Sequence, residues 1–257
     1  MLRTSNTTDE RAIKVGKLNN PIWTFVKPRN RFSNVLTSGV WVGAYFSCKY
    51  PGIYYIHTKK MWIFMIPILL ILNDYLKSPI DRLYFQTPLR PLVGIRNSII
   101  DLFFYKLHYS VDNFTGLWRV QKHFFDIKTE YDTLYKNKQK YYFHDLSPWF
   151  EYNQKYYYHK IHDFPKLYAF LKTIPCVEHA MIAVMEGPMS ISAHRAESNL
   201  QLRYHLTLEG TSNLNTEFDI HQHKPGEDVL FDHSRYHSVD KTDQQKRVVL
   251  ILDIKRF

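Results

Sequence analysis

The sequence predicts a mainly β domain with flanking helices, a sandwich or barrel preceded by a basic, partly helical N-terminal region. After Pro165, short apolar stretches alternate with turn signals such as Gly187-Pro188, Glu209-Gly210 and Pro225-Gly226, the texture of an antiparallel sandwich or barrel. Between Leu117 and Lys136 the apolar spacing is helical instead. A composition of 45% apolar and 16% aromatic side chains over 257 residues excludes a disordered chain and suffices for a full core.

Residues 1–20 are polar without apolar periodicity, which predicts a mobile tail. They are no secretory signal, because the first apolar run begins only at Met61. From Met61 to Leu72 no side chain is polar, and 12 residues fall short of the ~20 that a bilayer span needs. Burial in a core and contact with a membrane are both open for such a run. Residues 1–60 hold 10 basic and 2 acidic side chains directly before it, so membrane association through residues 61–72 is the expectation. If the run spans, the positive-inside rule leaves the N-terminus cytosolic and the C-terminal domain on the far side; otherwise attachment is peripheral.

Residues 75–115, broken by Pro88 and Pro91, read as helical pieces with loops. Val120, Phe124, Ile127 and Tyr131 then lie on one face of a single amphipathic helix within 117–136. The Tyr and Lys residues at 135–160 could stack bases and hold phosphates, but residues 121–190 carry 9 basic against 8 acidic side chains. With no net field, no nucleic acid is expected as a partner, and the segment reads as a solvated face with aromatic core contacts. A short helix at 166–172 precedes strands at 180–185, 201–208, 217–221, 228–232 and 247–254.

Cys48 and Cys176, the 2 cysteines, cannot form a disulfide framework or a thiolate zinc site, so any metal must be held by other residues. Along 201–208, Leu202, Tyr204, Leu206 and Leu208 share one face, while Arg203, His205 and Thr207 share the other, as in a half-exposed strand. The strand at 247–254 is apolar on both faces and so buried. Arg247 at its start lies either at a rim or in a cavity, paired with a ligand carboxylate. Among 13 histidines, His194 and His237 sit at strand and loop ends that can meet at one barrel mouth, where two imidazoles with waters suit Fe(II) among other metals. His221 and His223, at i and i+2 in a strand, form a competing pair, with an exposed edge as the alternative.

The run His194–Leu208, with its Leu202-Arg203-Tyr204-His205-Leu206, together with Phe231–His237 and Arg247–Asp253, resembles the aspartyl/asparaginyl β-hydroxylase family, including its lipid A 2-hydroxylase-like branch. Phe164-Pro165, Ile174-Pro175 and Ala180–Ala183 resemble the family's lead-in, and the likeness covers roughly residues 115–257. It implies a double-stranded β-helix, a cupin-like jelly roll, and a dioxygenase using Fe(II), 2-oxoglutarate as cosubstrate and O2. The domains would be a basic, partly disordered segment 1–60, a membrane-proximal apolar region 61–114 and a dioxygenase domain 115–257.

Carried over by position, the resemblance makes His194 and His237 the iron ligands and the catalytic centre. Arg247 becomes the partner of the distal 2-oxoglutarate carboxylate, and Arg203 and His205 the contacts of the carboxylate nearer the metal. The implied substrate is peptidyl Asp or Asn, or the acyl chain of a lipid. Two positions depart from the pattern. Ala196 stands where a carboxylate ligand is usual, and Ala183 where the protein hydroxylases place a serine that helps hold 2-oxoglutarate. An alanine at position 196 also fits a halogenase or a non-catalytic binding or scaffold barrel, and a zinc or manganese cupin is a further alternative. Glu197, the next residue, could reach the metal instead, but faces away if the strand begins there. The sequons at Asn6 and Asn113 matter only in a glycosylating compartment.

Overall fold

The computed structural model describes residues 61–77, 84, 87–106, 108–143 and 155–257. The expected tail of residues 1–20, the basic segment 1–60 and the Asn6 sequon lie outside the described residues. The chain forms two compact units that divide between Tyr105 and Lys106.

In the first unit, α1 (Met61–Tyr75) contains the apolar run, with Pro67 inside it, and α2 (Arg90–Phe104) carries Pro91 in its first turn. That proline position suits a helix start, where the missing N–H has no intrahelical acceptor to satisfy. No helix among the described residues is long and apolar enough to cross a membrane.

The second unit opens with helices. The single helix expected over 117–136 is two, α3 (Trp118–Lys122) and α4 (Phe124–Leu134), separated by His123 at φ −92° and ψ 17°. The His123 ring explains the break: its Nδ1 bonds the Arg119 carbonyl at 2.9 Å and the ring packs on Phe170. Val120, Ile127 and Tyr131 are nevertheless buried, as the spacing predicts. Glu130 of α4 accepts from the backbone N–H groups of Lys166 and Leu167 at 2.9 and 2.8 Å. It thereby caps α5 (Pro165–Leu171) and fixes the two helices against each other.

Ten strands follow the order of the chain: β1 (Tyr141–Tyr142), β2 (Tyr156–Lys160), β3 (Val177–Met185), β4 (Met189–His194), β5 (Gln201–Glu209), β6 (Ser212–Asn215), β7 (Ile220–His223), β8 (Asp228–Phe231), β9 (His237–Lys241) and β10 (Arg247–Lys255). They form a six-stranded sheet ordered β1-β2-β3-β10-β5-β8 and a four-stranded sheet ordered β4-β9-β6-β7. Every pairing is antiparallel, and β3–β10 pass back and forth between the two sheets, apart from the β6–β7 hairpin within the small one, as in a double-stranded β-helix.

The Tyr-rich stretch expected to be a solvated face with aromatic core contacts does place Tyr157 in the core, but it also supplies the strands β1 and β2, where Tyr141 stacks on Tyr158 at 5.5 Å and Phe143 on Tyr156 at 4.3 Å. Cross-strand aromatic pairs account for that composition. The strand expected at 217–221 begins later, because Thr216 and Asp219 close a turn: the Thr216 N–H donates to the Asp219 carbonyl at 2.8 Å.

The strand apolar on both faces, β10, is buried between two environments. Val248, Leu250, Leu252 and Ile254 join Leu202, Tyr204 and Leu206 in the main core with α3–α5, while Val249 and Ile251 pack with Ala183 on the other face of the large sheet. The second face of β5 is therefore not half-exposed: His205 and Thr207 are 4% and 0% exposed. Burying this much apolar surface at ~25 cal/mol per Å² fixes the large sheet and hence the register of the residues that follow.

Candidate active site

His194 ends β4 and His237 begins β9. Ile191 pairs with Val239 but His194 pairs with His237, so β4 carries one extra residue between them. In an unbroken register Ala193 would oppose His237 and His194 would point to the other face; the bulge turns His194 inward. The two rings stand 4.3 Å apart, centroid to centroid. His194 Nδ1 donates to the Ser192 carbonyl and His237 Nδ1 to the Arg235 carbonyl, each at 2.9 Å. Both neutral rings thus carry the lone pair on Nε2, the tautomer a metal requires. Burial holds both imidazoles below their ordinary range, and the proximity of His194 lowers His237 further.

Among the described residues no third His, Cys, Asp or Glu joins them as a metal-holding group. Ala196, two residues after His194, spends its N–H on the His233 carbonyl at 2.8 Å, and Glu197 is exposed.

Arg247, at the start of β10, is 2% exposed. Its Nη2 donates to His223 Nδ1 at 3.1 Å, its Nη1 meets the Met185 sulfur at 3.2 Å, and its Nε has no partner. No carboxylate among the described residues neutralises it, and burial lowers its pKa to about 10. Since Arg247 can only donate, His223 Nδ1 accepts, as it also does from Ser212 Oγ at 2.8 Å. His223 Nε2 then carries the hydrogen and donates to His205 Nδ1 at 3.1 Å. His205 must in turn hold its hydrogen on Nε2, which is buried without a partner. Burial, then Arg247, pushes His223 down to about 2, and burial with His223 and Arg247 keeps His205 neutral as well.

This chain disposes of the competing His221–His223 pair. Both nitrogens of His223 are engaged, and the residue is 3% exposed rather than at an open edge. His221 lines a cavity of about 280 Å³ with His223, Glu227 and Asp228.

Arg203 is held by Asp253, its Nε and Nη2 each 2.9 Å from Oδ1, and Asp253 also lies 3.7 Å from His233 Nδ1. The Arg203 charge helps depress His194, His205, His233 and His237. Thus all five residues expected at the site are brought together, with Arg203 already paired. Asp253 and Tyr156 were not apparent from the residues alone, and His223, expected there as half of a metal pair, is instead the partner of Arg247 and His205. Tyr156 packs against Ala183, Val249 and Ile251, where burial raises its phenol and the positive charge of Arg247 opposes that rise. Ala183 presents only a methyl to this interior.

Residues 117–257 match the family model described as aspartyl/asparaginyl beta-hydroxylase. The chain belongs to the aspartyl/asparaginyl β-hydroxylase family. Membership supports a hydroxylase on a cupin-type barrel, and it covers every residue of the site from His194 to Arg247. No curated protein matches the chain. Among solved structures, a predicted oxalate decarboxylase from Thermotoga maritima is 11% identical with a TM-score of 0.36, over 47% of this chain and 95% of that one. A cupin-superfamily sugar phosphate isomerase from Silicibacter pomeroyi is 11% identical at 0.35, over 47% and 73%. The Cnp3 cupin domain of Schizosaccharomyces pombe is 11% identical at 0.31, over 42% and 70%. The jelly-roll assignment of this family member rests on its own strand order.

Proposed function

We propose that this protein is a dioxygenase dependent on Fe(II) and 2-oxoglutarate that hydroxylates an unactivated C–H bond, of peptidyl Asp or Asn or of a lipid acyl chain. One observation carries the reading: Arg247 is a buried cation without a carboxylate among the described residues, linked through His223 to a buried His205 donor that has no acceptor. A buried charge costs several kcal/mol unless paired, and a dicarboxylate answers both demands.

The residues also fit the metal. Two neutral imidazoles with Nε2 lone pairs, and no third protein ligand among the described residues, would leave room for a 2-oxo acid, water and O2. When bound, Fe(II) with 2-oxoglutarate and O2 would supply the oxidation, one atom of O2 ending in succinate, formed with release of CO2, and the other in the hydroxylated product.

The protein's own part is placement. His194 and His237 hold the metal, with their rings fixed by the Ser192 and Arg235 carbonyls. Arg247 binds the far carboxylate, and His205 Nε2–H donates to the carboxylate nearer the metal. Arg203, anchored by Asp253, adds positive charge. Ala183, Val249 and Ile251 keep water from this end of the site.

The test is anaerobic titration with Fe(II) and 2-oxoglutarate, watching for the visible charge-transfer band of a chelated 2-oxo acid. A band lost in His194→Ala and in His237→Ala is the expected result. Its absence from the folded protein would refute the reading and leave a non-catalytic barrel.

A further inference from the structure

The α1–α2 pair has the polarity of a water-soluble helix pair turned inside out. At its centre Asp74, 1% exposed, bonds Arg90, 0% exposed, at 2.6 Å, and accepts from the Tyr84 hydroxyl at 2.7 Å. Asn97 Nδ2 approaches the other carboxylate oxygen at 3.4 Å, Asn73 donates to Ser98 at 3.0 Å, and Lys77 pairs with Asp101. Gly94 keeps this centre closed, since a Cβ there would lie 2.0 Å from the Tyr84 oxygen.

The faces turned away are apolar. On α1, Ile66, Leu69 and Leu72 are 54%, 51% and 41% exposed, with Leu76 just past its end at 72%; on α2, Leu92, Leu102 and Phe103 are 63%, 75% and 71% exposed. In water an amphipathic helix buries its apolar stripe and shows its polar one. In hydrocarbon the reverse holds, because polar groups must satisfy one another inside and side chains facing lipid lose nothing.

We propose that the α1–α2 pair seats in the hydrocarbon of a lipid bilayer without crossing it. Each helix has 15 residues, about 22 Å, against a hydrocarbon core of about 30 Å. The excess of 10 basic over 2 acidic residues in the preceding 60 supplies the attraction to anionic headgroups that holds such a pair at one surface. This stands independently of the chemistry proposed for the barrel.

The experiment is flotation of the full chain with vesicles of phosphatidylcholine containing a minor fraction of phosphatidylglycerol, at about 0.1 M and about 1 M salt. Flotation at both is expected, with at least about a tenfold loss in Leu76→Glu/Leu102→Glu/Phe103→Glu. A photoactivatable phospholipid is expected to label α1 and α2 in the unaltered protein, which keeps the test valid should the triple variant fail to fold. Three outcomes would overturn the proposal. Release at high salt with label confined to residues 1–60 would mean a purely electrostatic attachment. A monomer that ignores vesicles would mean that residues 1–60 cover the apolar faces. A dimer that ignores vesicles would mean that a second copy does.

Discussion

Arg247 Nη2 donates to Nδ1 of His223 at 3.1 Å, and this one bond sets the hydrogen positions of two imidazoles. His223 touches no expected ligand, so it acts by positioning His205. His223→Leu should raise the KM for 2-oxoglutarate about tenfold, equivalent to ~1.4 kcal/mol, with kcat within about twofold and Fe(II) affinity unchanged. Equal losses in all three, measured by steady-state kinetics and metal titration, would mark a merely structural role.

Removing the unneutralised charge should separate binding from stability. Arg247→Met is expected to abolish measurable 2-oxoglutarate binding, a loss of at least about 100-fold, while stabilising the unliganded protein by about 1–3 kcal/mol. Denaturant unfolding and calorimetric titration on the same samples check the two halves. A destabilised variant that still binds the dicarboxylate would refute the assignment of Arg247.

His194, His205, His223 and His237 are all held below the ordinary histidine value of 6.5, burial being the first cause in each. In the unfolded chain they titrate near 6.5, so below that pH the unfolded state binds more protons and stability falls with falling pH. Each contributes at most about 1.4 kcal/mol per pH unit. For His223 the loss extends toward its folded value of about 2. Urea midpoints should be flat just above pH 6.5 and fall below it, with a shallower fall in His223→Leu.

Gly210 has φ +72°, and a Cβ there would stand 2.4 Å from the Lys246 carbonyl and 2.9 Å from Arg247 Cα. Gly210→Ala should therefore cost about 1–3 kcal/mol and weaken 2-oxoglutarate binding by displacing the start of β10. Thermal unfolding with a titration checks both; loss of stability alone would mean that Arg247 keeps its place.

The parts of the site legible in the sequence were those written as local pattern. The alternation along β5 put Arg203 and His205 on one face, and the doubly apolar β10 set Arg247 apart. Three things were not legible. The bulge in β4 has no side-chain signature, because Ser192 and Ala193 look the same in either register. The partners Asp253 and His223 lie 50 and 24 positions from the arginines they meet, so only the folded sheets bring them together. The strands β4 and β6 carry serines and asparagines on their more exposed faces, which hid them, as the tyrosines of β1 and β2 hid those strands, whereas α4, β3, β5 and β10 announced themselves through an apolar stripe.

The link from His223 to His205 and Arg247 also joins the two layers of the barrel, since β7 belongs to the small sheet and β5 and β10 to the large one. A cosubstrate gripping Arg247 and His205 would tighten the same seam that holds the layers together. Filling the site and stiffening the sandwich are then a single event, and slowed amide exchange along β7 would report occupancy before any product forms.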